Sequence, residues 1–471
     1  MRAAPGSLRM TACVAALCLG SATAAAQQAP TPDFESLGFE AAERLGEYLR
    51  IRTVNPPGNE TAGAEWLRRV LAREGIQSGI FESSPGRGNL YARLPGTGSK
   101  RPIVLLSHID VVPATDSAWQ VGPWSGETRS GAVWGRGALD MKGMAIVQLM
   151  TMVALKRRGV PLSRDVMLVA NADEETGSTG AEWFTREKRG LLRDAEFLLN
   201  EGGHNRLGPT GQTEYYGVAV TEKVPYWVRL TARGSPGHGS VPRPDNAAAR
   251  ISRAVGRIAA YQTPLKLTPP AERYFKDVAV QEHDPLRRRW LADPAAALQS
   301  RAGRLFLTSN LYYNAILRNT ISITALRGSD KTNVIPPEAS AELDVRLLPG
   351  ERPADFVRAL GRVIADSLVE ITPLRPERQA TTSPLDGPMI EAIREAVEAM
   401  EPGALITTPM LAGYTDSYYY RAIGIGAYGI SPFRLSEEDA RTVHGNDERV
   451  TVENLRFGVE LMYRIVETVA R

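Results

Sequence analysis

Residues 103–110 have the sequence IVLLSHID and carry the strongest fold signal in the chain. The first five form a short, largely apolar run, which predicts a buried strand of a parallel sheet. Two polar residues, His108 and Asp110, follow this strand almost directly. The stretch therefore predicts an α/β protein in which a central strand carries polar groups to its end.

Downstream of this stretch, apolar runs alternate with segments of helical spacing. Strands are predicted at 166–170 and 197–199, and helices at 144–158 and 179–188. Strands that alternate with helices indicate a mostly parallel sheet. Because ligands of such sheets bind beyond the carboxyl ends of the strands, we look for a site there.

The pattern changes at Val224 and returns after residue 376. Between them the sequence predicts a compact α+β unit with the order strand, helix, strand, strand, helix. Its predicted elements are strands at 226–232, 322–325 and 339–347 and helices at 246–261 and 353–368. Residues 263–310 are less regular and are predicted to be an elaboration within this unit. The α/β pattern then resumes, with helices at 388–400 and 452–470.

The composition is that of an ordinary globular protein, and the length suggests two domains. Of the 471 residues, 43% are hydrophobic and 23% charged. The chain has 56 Lys+Arg against 53 Asp+Glu, which gives a net charge of +3, and it has no long basic run. We therefore expect no nucleic-acid partner.

Residues 1–26 have the layout of a secretory signal peptide. Arg2 and Arg9 give a positive start, residues 10–20 are mostly apolar, and three alanines at 24–26 supply a cleavage signal. A buried N-terminal helix and a lipoprotein anchor are the alternatives for this segment.

Cleavage after Ala26 would leave 445 residues with a net charge of +1. It would also remove Cys13 and Cys18, the only cysteines, so we expect neither a disulfide nor a cysteine-based zinc site. No later segment approaches about 18 consecutive apolar residues, so we expect no integral membrane segment in the mature chain. The sequence thus predicts an exported protein, periplasmic or extracellular.

Polar side chains follow successive predicted strands and could meet at one edge of the sheet. They are His108 and Asp110 after the first strand, Glu174 and Glu175 after the second, Glu201 after the third, Asp140 in the Gly-rich loop GRGALDMKG, and His444 in VHGNDERV. Each alone has an ordinary explanation, such as a surface hydrogen bond, a solvated helix start or a helix cap. Together they predict a site for two divalent cations. Mixed histidine and carboxylate ligands suit zinc, with cobalt or manganese as alternatives.

Six motifs, in order, resemble those of one enzyme family. They are SHIDVVP, GRGALDMKG, ADEETGS, LNEGG, GSPGHGSVP and HGNDERV. The family is the co-catalytic zinc amidohydrolases and exopeptidases, which include carboxypeptidase G, aminoacylase, acetylornithine deacetylase and succinyl-diaminopimelate desuccinylase. The resemblance covers about residues 40–471. The segments TNVIPPEASAELDVRLLPG and TDSYYYRAIGIGAYGISP look most like the branch of carboxypeptidase S and the N-fatty-acyl-amino-acid hydrolases.

The resemblance implies a zinc-exopeptidase-like fold of two domains. Residues 33–221 and 379–471 would form a three-layer α/β/α catalytic domain that holds the two metals. Residues 222–378 would form an inserted, ferredoxin-like α+β domain that acts as a lid and a dimerisation surface. By this resemblance we expect a homodimer formed through the lid domain.

The resemblance also implies a role for each candidate residue of the metal site. Asp140 would bridge the two metals, with His108 and Glu201 completing one site and Glu175 and His444 the other. Some relatives have Asp where this chain has Asn200-Glu201, and Glu201 is assigned because Asn is a poor zinc ligand. Glu174 would be the general base, acting on a metal-bridged hydroxide. Asp110 would orient the ring of His108.

Further residues match positions that contact the substrate in relatives. His238, in GHGSVP, would bind the oxyanion, and Asn333 and Arg346 would hold the substrate. Arg346 suits bidentate capture of a free carboxylate. Gly413 and Thr415 would add backbone and hydroxyl contacts. Two other histidines, His204 and His283, fit no motif, although His204 is close enough to Glu201 in sequence to line the site.

Three functions remain open at this point. The first is a secreted metal-dependent hydrolase of an amide bond next to a free carboxylate, in an N-acyl amino acid or a short peptide. The second is a dipeptidase or aminopeptidase on the same scaffold, which needs a group to pair the substrate's free amine. The third is a non-catalytic periplasmic binding homologue, which would have no need of Glu174. A cluster of tyrosines, at 414 and 418–420, could line an aromatic pocket or belong to the core.

Overall fold

The strand predicted from the opening stretch lies at the centre of a large sheet. In the computed structural model it spans Ile103–His108, and all six of its residues are buried. It runs parallel to Val166–Asn171 on one side and to Phe197–Asn200 on the other. The α/β fold with a central sheet is therefore confirmed.

The structure describes residues 1–4, 6, 31–208 and 210–471. Met1–Thr31 and Pro32–Arg471 are separate compact units, and the α/β fold belongs to the second. The signal peptide predicted over residues 1–26 lies, apart from 1–4 and 6, outside the described residues.

The second unit is built from short strands and from helices of varied length. The strands are Gln77–Glu82, Gly88–Leu94, Ile103–His108, Glu127–Arg129, Ala132–Trp134, Val166–Asn171, Phe197–Asn200, Asn205–Leu207, Thr213–Ala219, Val224–Pro225, Val228–Arg233, Gly237–His238, Thr320–Arg327, Val334–Ile335, Glu338–Leu347, Val369–Pro373, Ile406–Thr407, Gly426–Ile430, Arg434–Leu435 and Arg449–Thr451. The α-helices are Phe34–Leu49, Glu60–Arg73, Lys142–Arg158, Thr179–Glu187, Ala247–Ala260, Pro269–Val278, Pro285–Ala292, Pro294–Gln299, Arg301–Ser309, Leu311–Ile316, Pro353–Ile364, Pro388–Met400, Ser417–Ala422, Glu437–Ala440 and Val452–Ala470. Short 3-10 helices span Asp116–Ala118 and Arg189–Leu192.

Alternation along the central strand builds a core on each side of the sheet. Ile103 and Leu105 belong to one buried cluster, which also contains side chains of the Lys142–Arg158 and Val452–Ala470 helices. Their neighbours Val104 and Leu106 belong to a second cluster on the opposite face. Because successive side chains of a strand point to opposite faces, one apolar run supports helices on both sides and gives three layers.

The central sheet is mixed rather than mostly parallel, contrary to the sequence prediction. Its four inner strands are parallel, in the order 166–171, 103–108, 197–200 and 426–430. Residues 77–82 and 88–94 form a hairpin that pairs antiparallel with strand 166–171. The short connection within this hairpin forces its two strands to be antiparallel neighbours. A further strand, Thr213–Ala219, is antiparallel on the other side.

A second sheet and a separate hydrophobic core lie within residues 224–373. Two helices, Ala247–Ala260 and Pro353–Ile364, pack in this core against strands of the sheet. Counting only the strands of at least five residues and these two helices, the element order is strand, helix, strand, strand, helix, strand, the order of a ferredoxin-like unit. The second helix ends four residues earlier than predicted, because Ala365 adopts a left-handed conformation. The domain boundaries and the role of this unit as a lid stay predictions.

The prediction of irregular structure over residues 263–310 is wrong. This part contains four short helices, at 269–278, 285–292, 294–299 and 301–309. Three begin with a proline in the first turn, and Asp284 and Asp293 cap two of them by accepting backbone hydrogen bonds. The helices enclose a cluster of buried aromatic and aliphatic side chains. Among the described residues, no helix is long and apolar enough to cross a membrane.

Candidate metal centre

Five side chains at the carboxyl end of the central sheet form two overlapping ligand sets. One set is His108, Asp140 and Glu201, and the other is Asp140, Glu175 and His444. Within each set the ligand atoms lie within 4.8 Å of one another. Asp140 is common to both, so the structure brings together all five residues that the sequence predicted as metal ligands.

Asp140 is placed between the two histidines. Its Oδ1 is 3.0 Å from Nε2 of His108, and its Oδ2 is 3.0 Å from Nε2 of His444. Nε2 of His444 also lies 3.2 Å from Oε2 of Glu175. Nε2 of His108 lies 3.8 Å from Oε1 of Glu201. Each oxygen of Asp140 thus faces a different histidine, which is the geometry that a bridging carboxylate needs.

The fold positions these ligands by ending elements at one edge. His108 is the last residue of its strand, and Glu201 directly follows strand Phe197–Asn200, which runs parallel to it. Asp140 precedes the helix that begins at Lys142. His444 lies in the segment before strand Arg449–Thr451, in a left-handed conformation with φ of 58°. Parallel strands therefore deliver their polar groups to one place, as the sequence predicted.

Burial and hydrogen bonds within the cluster shift the pKa of each ligand. Hydrogen bonds to Asp140 and Glu175 raise the pKa of His444 to about 10. Burial, reinforced by the charge of Asp140, raises the pKa of Glu201 well above its usual range. Burial lowers the pKa of His108, but hydrogen bonds to Asp110 and Asp140 outweigh it and raise that pKa. Three carboxylates share two imidazoles, so the cluster favours added positive charge.

The donor set fits divalent cations. Oε1 of Glu175 is buried without a hydrogen-bond partner among the described residues, which leaves a lone pair free for a cation. Nδ1 of His108 lies 3.0 Å from the backbone carbonyl of Asp110, an arrangement that leaves Nε2 to face Asp140. A histidine held through one ring nitrogen presents the other as a ligand. His108, Asp140, Glu175, Glu201 and His444 could therefore hold two ions.

Asp110 supports the site through both its backbone and its side chain. It is the backbone carbonyl of Asp110 that contacts the His108 ring, whereas the Asp110 carboxylate is 3.6 Å from Nδ1. The fully buried carboxylate instead accepts backbone N–H bonds from Glu174 at 3.0 Å and from Glu175 at 3.1 Å. Asp110 therefore fixes the backbone of the predicted base and of one ligand at the same time.

Asn55 completes this arrangement and was missed by the sequence analysis. Its side-chain amide donates to the carboxylates of Asp110 and Asp173, each at 2.8 Å, and its carbonyl accepts from Arg87 at 3.0 Å. Asn55 is separated from Asp110 by 55 positions and precedes two prolines. Nothing in its local sequence signals a partner that far along the chain.

Glu174 lies beside the ligands, and its carboxylate is available for chemistry. Burial raises its pKa well above the usual range, and the charge of Glu201 raises it further. Among the described residues, Glu174 makes one hydrogen bond, from its backbone N–H to Asp110, and its carboxylate makes none. A carboxylate so placed is free to accept a proton from a reacting group.

His238 and Asn333 lie together on a small ribbon of the second sheet region. Strand Gly237–His238 pairs with Val334–Ile335, and Gly239 N–H donates to the carbonyl of Asn333 at 2.7 Å. His238 is exposed, and its Nδ1 accepts from the backbone N–H of Ser240. No hydrogen bond or ion pair among the described residues joins this ribbon to the metal ligands.

Arg346 is already paired with a neighbouring carboxylate. Its Nε and Nη2 donate to Asp344 at 2.7 and 3.0 Å, and both side chains are about a quarter exposed. Residues two apart on a strand point to the same face, so the Asp-x-Arg pattern was a signal for this pair. Its Nη1 edge has no such bond among the described residues, so this edge stays open to another carboxylate.

Thr415 is buried, and its polar groups are directed inward. Its backbone N–H and its hydroxyl donate to the fully buried Glu222 at 3.1 and 2.9 Å, and Arg421 donates to the same carboxylate at 2.8 Å. The hydroxyl proton predicted to contact a substrate is thus used within the protein. Gly413, two residues earlier, is half-buried, and a Cβ at this position would lie 3.8 Å from the side chain of Leu411.

The remaining histidines and tyrosines divide between the surface and the core. His204 and His283 are not members of either ligand set, although His204 is exposed close to Glu201 in the chain. Tyr420 is buried and its hydroxyl accepts from Asn171. Tyrosines 414, 418 and 419 surround the guanidinium of Arg378, which donates to the hydroxyls of 414 and 419. These three tyrosines are therefore occupied by a side chain of the protein itself.

Two overlapping metal-ligand sets lie at the carboxyl edge of an α/β sheet, and Glu174 lies beside them without belonging to either. This arrangement defines a metal-dependent hydrolase. The sequence model of peptidase family M20/M25/M40 matches residues 104–468, and the chain belongs to this family. The predicted family is therefore confirmed. The protein is a metallopeptidase or amidohydrolase that acts on amide bonds.

Known relatives agree with this assignment. The chain is 30% identical over 465 residues to "N-fatty-acyl-amino acid synthase/hydrolase PM20D1" of Mus musculus, covering 94% of this chain and 90% of that one. It resembles the crystal structure of the M20 family metallo-carboxypeptidase Sso-CP2 from Sulfolobus solfataricus, with a TM-score of 0.70, 17% identity and coverage of 91% and 99%.

A second similar structure is described as dinuclear. The Bacillus subtilis YXEP protein, "a dinuclear metal binding peptidase from M20 family", matches with a TM-score of 0.58 and 14% identity, covering 93% of this chain and 99% of that one. These structures support the fold, and the mouse relative supports the predicted branch.

Proposed function

We propose that this protein is an exported zinc hydrolase that cleaves the amide bond of N-acyl amino acids whose α-carboxylate is free. The observation that carries the proposal is the position of Asp140, whose two oxygens face His108 and His444 separately. Two histidines with three carboxylates form a donor set that suits zinc. The name of the mouse relative supports an acyl chain of the fatty-acid type.

In this proposal His108, Asp140 and Glu201 hold one ion, and Asp140, Glu175 and His444 hold the other. Two such ions, when bound, would polarise the amide carbonyl and acidify a water. Glu174 accepts the proton of the attacking water and passes it to the leaving nitrogen. Because Asp110 holds the Glu174 backbone, this base keeps a fixed position beside the ligands.

His238 is suited to donate a hydrogen bond to the oxyanion. Its Nδ1 accepts from the backbone N–H of Ser240, so in the neutral ring Nε2 carries the proton. A donor aimed at developing negative charge stabilises the transition state more than the ground state. We propose that the unit formed by residues 222–378 closes over the bound substrate to bring His238 to it, with Asn333 on the same ribbon.

Arg346 is proposed to bind the substrate's free carboxylate. Asp344 occupies the Nε and Nη2 edge of the guanidinium, which leaves Nη1 for an incoming carboxylate. Gly413 and Thr415 are proposed to contact the substrate through their loop, which Thr415 anchors by donating to Glu222. An unblocked dipeptide would need a free acidic group for its amine, and Asp344 is already paired.

A substrate comparison tests the proposal directly. The purified protein is freed of metal and reloaded with zinc or cobalt. Release of amine is then measured from an N-acyl amino acid, its C-terminal carboxamide and an unblocked dipeptide. We expect cleavage of the first compound and at least about tenfold lower kcat/KM for the other two, equivalent to ~1.4 kcal/mol of lost recognition. Preferential cleavage of the dipeptide would favour the exopeptidase instead, and no cleavage with two bound ions would favour a binding protein.

The base assignment has its own test. Glu174→Gln keeps the shape of the side chain but removes its basicity, so we expect kcat to fall by about 10²- to 10⁴-fold with metal content unchanged. Glu187→Gln, at an exposed position, is the control and should leave kcat unaltered. Near-normal turnover by Glu174→Gln would show that another group takes the proton.

Export and assembly are proposed from the sequence alone. Mass spectrometry of the exported protein should show a chain that begins at Gln27 if residues 1–26 are removed, and an intact N-terminus would contradict this. Sedimentation equilibrium should give a dimer, joined through the unit of residues 222–378. A monomer at every concentration would exclude that assembly.

A further inference from the structure

A buried ion pair links the segments of the chain that carry Asp140 and His444. Arg136 and Glu448 are 2% and 0% exposed, and Nη1 of the arginine lies 2.6 Å from Oε2 of the glutamate. Neither belongs to a ligand set. A buried ion pair adds little net stability, since the cost of removing both charges from water offsets their attraction.

Within the described part of the chain, the Glu448 carboxylate accepts all its hydrogen bonds from the loop that carries Asp140. Oε1 accepts the backbone N–H groups of Leu139 at 2.7 Å and of Asp140 itself at 3.0 Å. Oε2 accepts the N–H of Gly137 at 2.9 Å in addition to the Arg136 guanidinium. One carboxylate thus satisfies three backbone donors of this loop and fixes its curvature.

Arg136 connects the same carboxylate to the second ligand loop. Its Nη2 donates to the carbonyl of Gly445 at 2.7 Å, directly after His444. The backbone adds a further link, since Gly135 N–H donates to the carbonyl of Glu448 at 2.9 Å. Strands Ala132–Trp134 and Arg449–Thr451 then pair on the far side of both loops. The distance between Asp140 and His444 is therefore set through Arg136 and Glu448.

We propose that the Arg136–Glu448 pair is a positioning device that holds the loops of Asp140 and His444 at the spacing required for two metal ions. The inference rests on the proposed metal centre. Neither residue touches the ions, so both act through the ligands they place. Outer groups that orient ligands contribute about 10- to 100-fold to metal affinity.

The test is a metal titration of the full chain. Glu448→Gln keeps the size of the side chain but replaces one carboxylate oxygen with an N–H₂ group. That group must face either the N–H groups of Leu139 and Asp140 or the N–H of Gly137 and the Arg136 guanidinium, and those donors then lose their acceptor. We expect two ions per chain in the wild type. For Glu448→Gln we expect at least one ion to bind about 10- to 100-fold more weakly, measured by competition with a chelating dye. The visible spectrum of the cobalt form should change as well, because the ligand geometry changes.

Glu196→Gln provides the matched control. Glu196 pairs with Arg164 at 2.8 Å at the opposite end of the sheet, next to the first residues of two strands. This variant loses an arginine–glutamate pair without touching either ligand loop, so its cobalt spectrum and metal affinities should match the wild type. Equal loss of metal in both variants would mean that general destabilisation is responsible, and it would overturn the inference.

A second variant decides the question if Glu448→Gln does not fold. Arg136→Lys keeps a positive charge beside Glu448 but cannot span both Glu448 and the carbonyl of Gly445. We expect weaker metal binding and an altered cobalt spectrum here too. Wild-type affinity and spectrum in a folded Glu448→Gln or Arg136→Lys variant would refute the positioning role. A wild-type protein that fails to bind two ions would instead refute the proposed metal centre.

Discussion

Replacing Asp110 with asparagine tests how the predicted base is held in place. The Asp110 carboxylate is fully buried and faces three donors: Glu174 N–H on Oδ1, and Glu175 N–H and the Asn55 amide on Oδ2. An asparagine side chain has one oxygen and one N–H₂ group. In the orientation that preserves more hydrogen bonds, the asparagine oxygen accepts from Glu175 N–H and the Asn55 amide, and the N–H₂ group faces the N–H of Glu174.

The expected loss of folding free energy follows from the hydrogen bond that asparagine cannot make. One buried backbone donor loses its acceptor and meets another donor, which costs about 1–3 kcal/mol of folding free energy. The displaced residue is Glu174, and a shift of about 1 Å in a catalytic group can lower turnover by about 10²-fold. We therefore expect Asp110→Asn to lose both stability and kcat, with a smaller change in KM because substrate contacts lie elsewhere.

Urea unfolding and steady-state kinetics of the metal-loaded variant measure the two effects. Asp386→Asn serves as the control, since Asp386 is 81% exposed and forms a surface ion pair with Arg273 at 2.9 Å. That surface change should stay within about 0.5 kcal/mol of the wild type. If Asp110→Asn had the stability and kcat of the wild type, the carboxylate would not be holding Glu174, and the reasoning would fail.

Three further predictions concern the ligand loop, the substrate and the metal. Gly143→Ala should lower stability and metal affinity, because the new Cβ would overlap the Ala138 carbonyl; Gly361→Ala, in open space on a helix, should gain about 0.5–1 kcal/mol in urea unfolding. Loss of stability at Gly361 would contradict this. Arg346→Met should raise KM for a free-carboxylate substrate by about 10-fold or more and leave that of its carboxamide unchanged; equal KM changes would exclude carboxylate capture. Chelation should abolish activity and lower Tm, with zinc restoring both.

Much of the candidate site could be predicted because its signals are local. His108, Glu175 and Glu201 come within a few residues of an apolar run, and the parallel direction of the strands brings such positions to one edge. Asp140 and His444 follow no predicted strand, and each lies in a loop whose course depends on distant contacts. They were candidates from their residue types, and only the family resemblance gave each a role. The prediction of the central strands was correct for the same local reason.

The features that could not be predicted from the sequence depend on interactions between distant positions. Asn55, Asp110 and Glu448 act on residues of other loops, and no local pattern encodes those hydrogen bonds. The helices within 263–310 are short, so hydrophobic periodicity had little length in which to appear. Their proline and aspartate starts were present in the sequence and would have identified them.

The number of residues in the central strand determines which face of the sheet each of its side chains occupies, including the metal ligand His108. Ile103 and Leu105 face one core while Val104 and Leu106 face the other, and His108 is reached at the sixth position. Gaining or losing a single residue here would exchange the two cores and turn the histidine to the opposite face of the sheet. Variation in this segment is therefore confined to changes of side-chain size, whereas changes of length are excluded. These six residues can therefore be substituted, but their number is fixed.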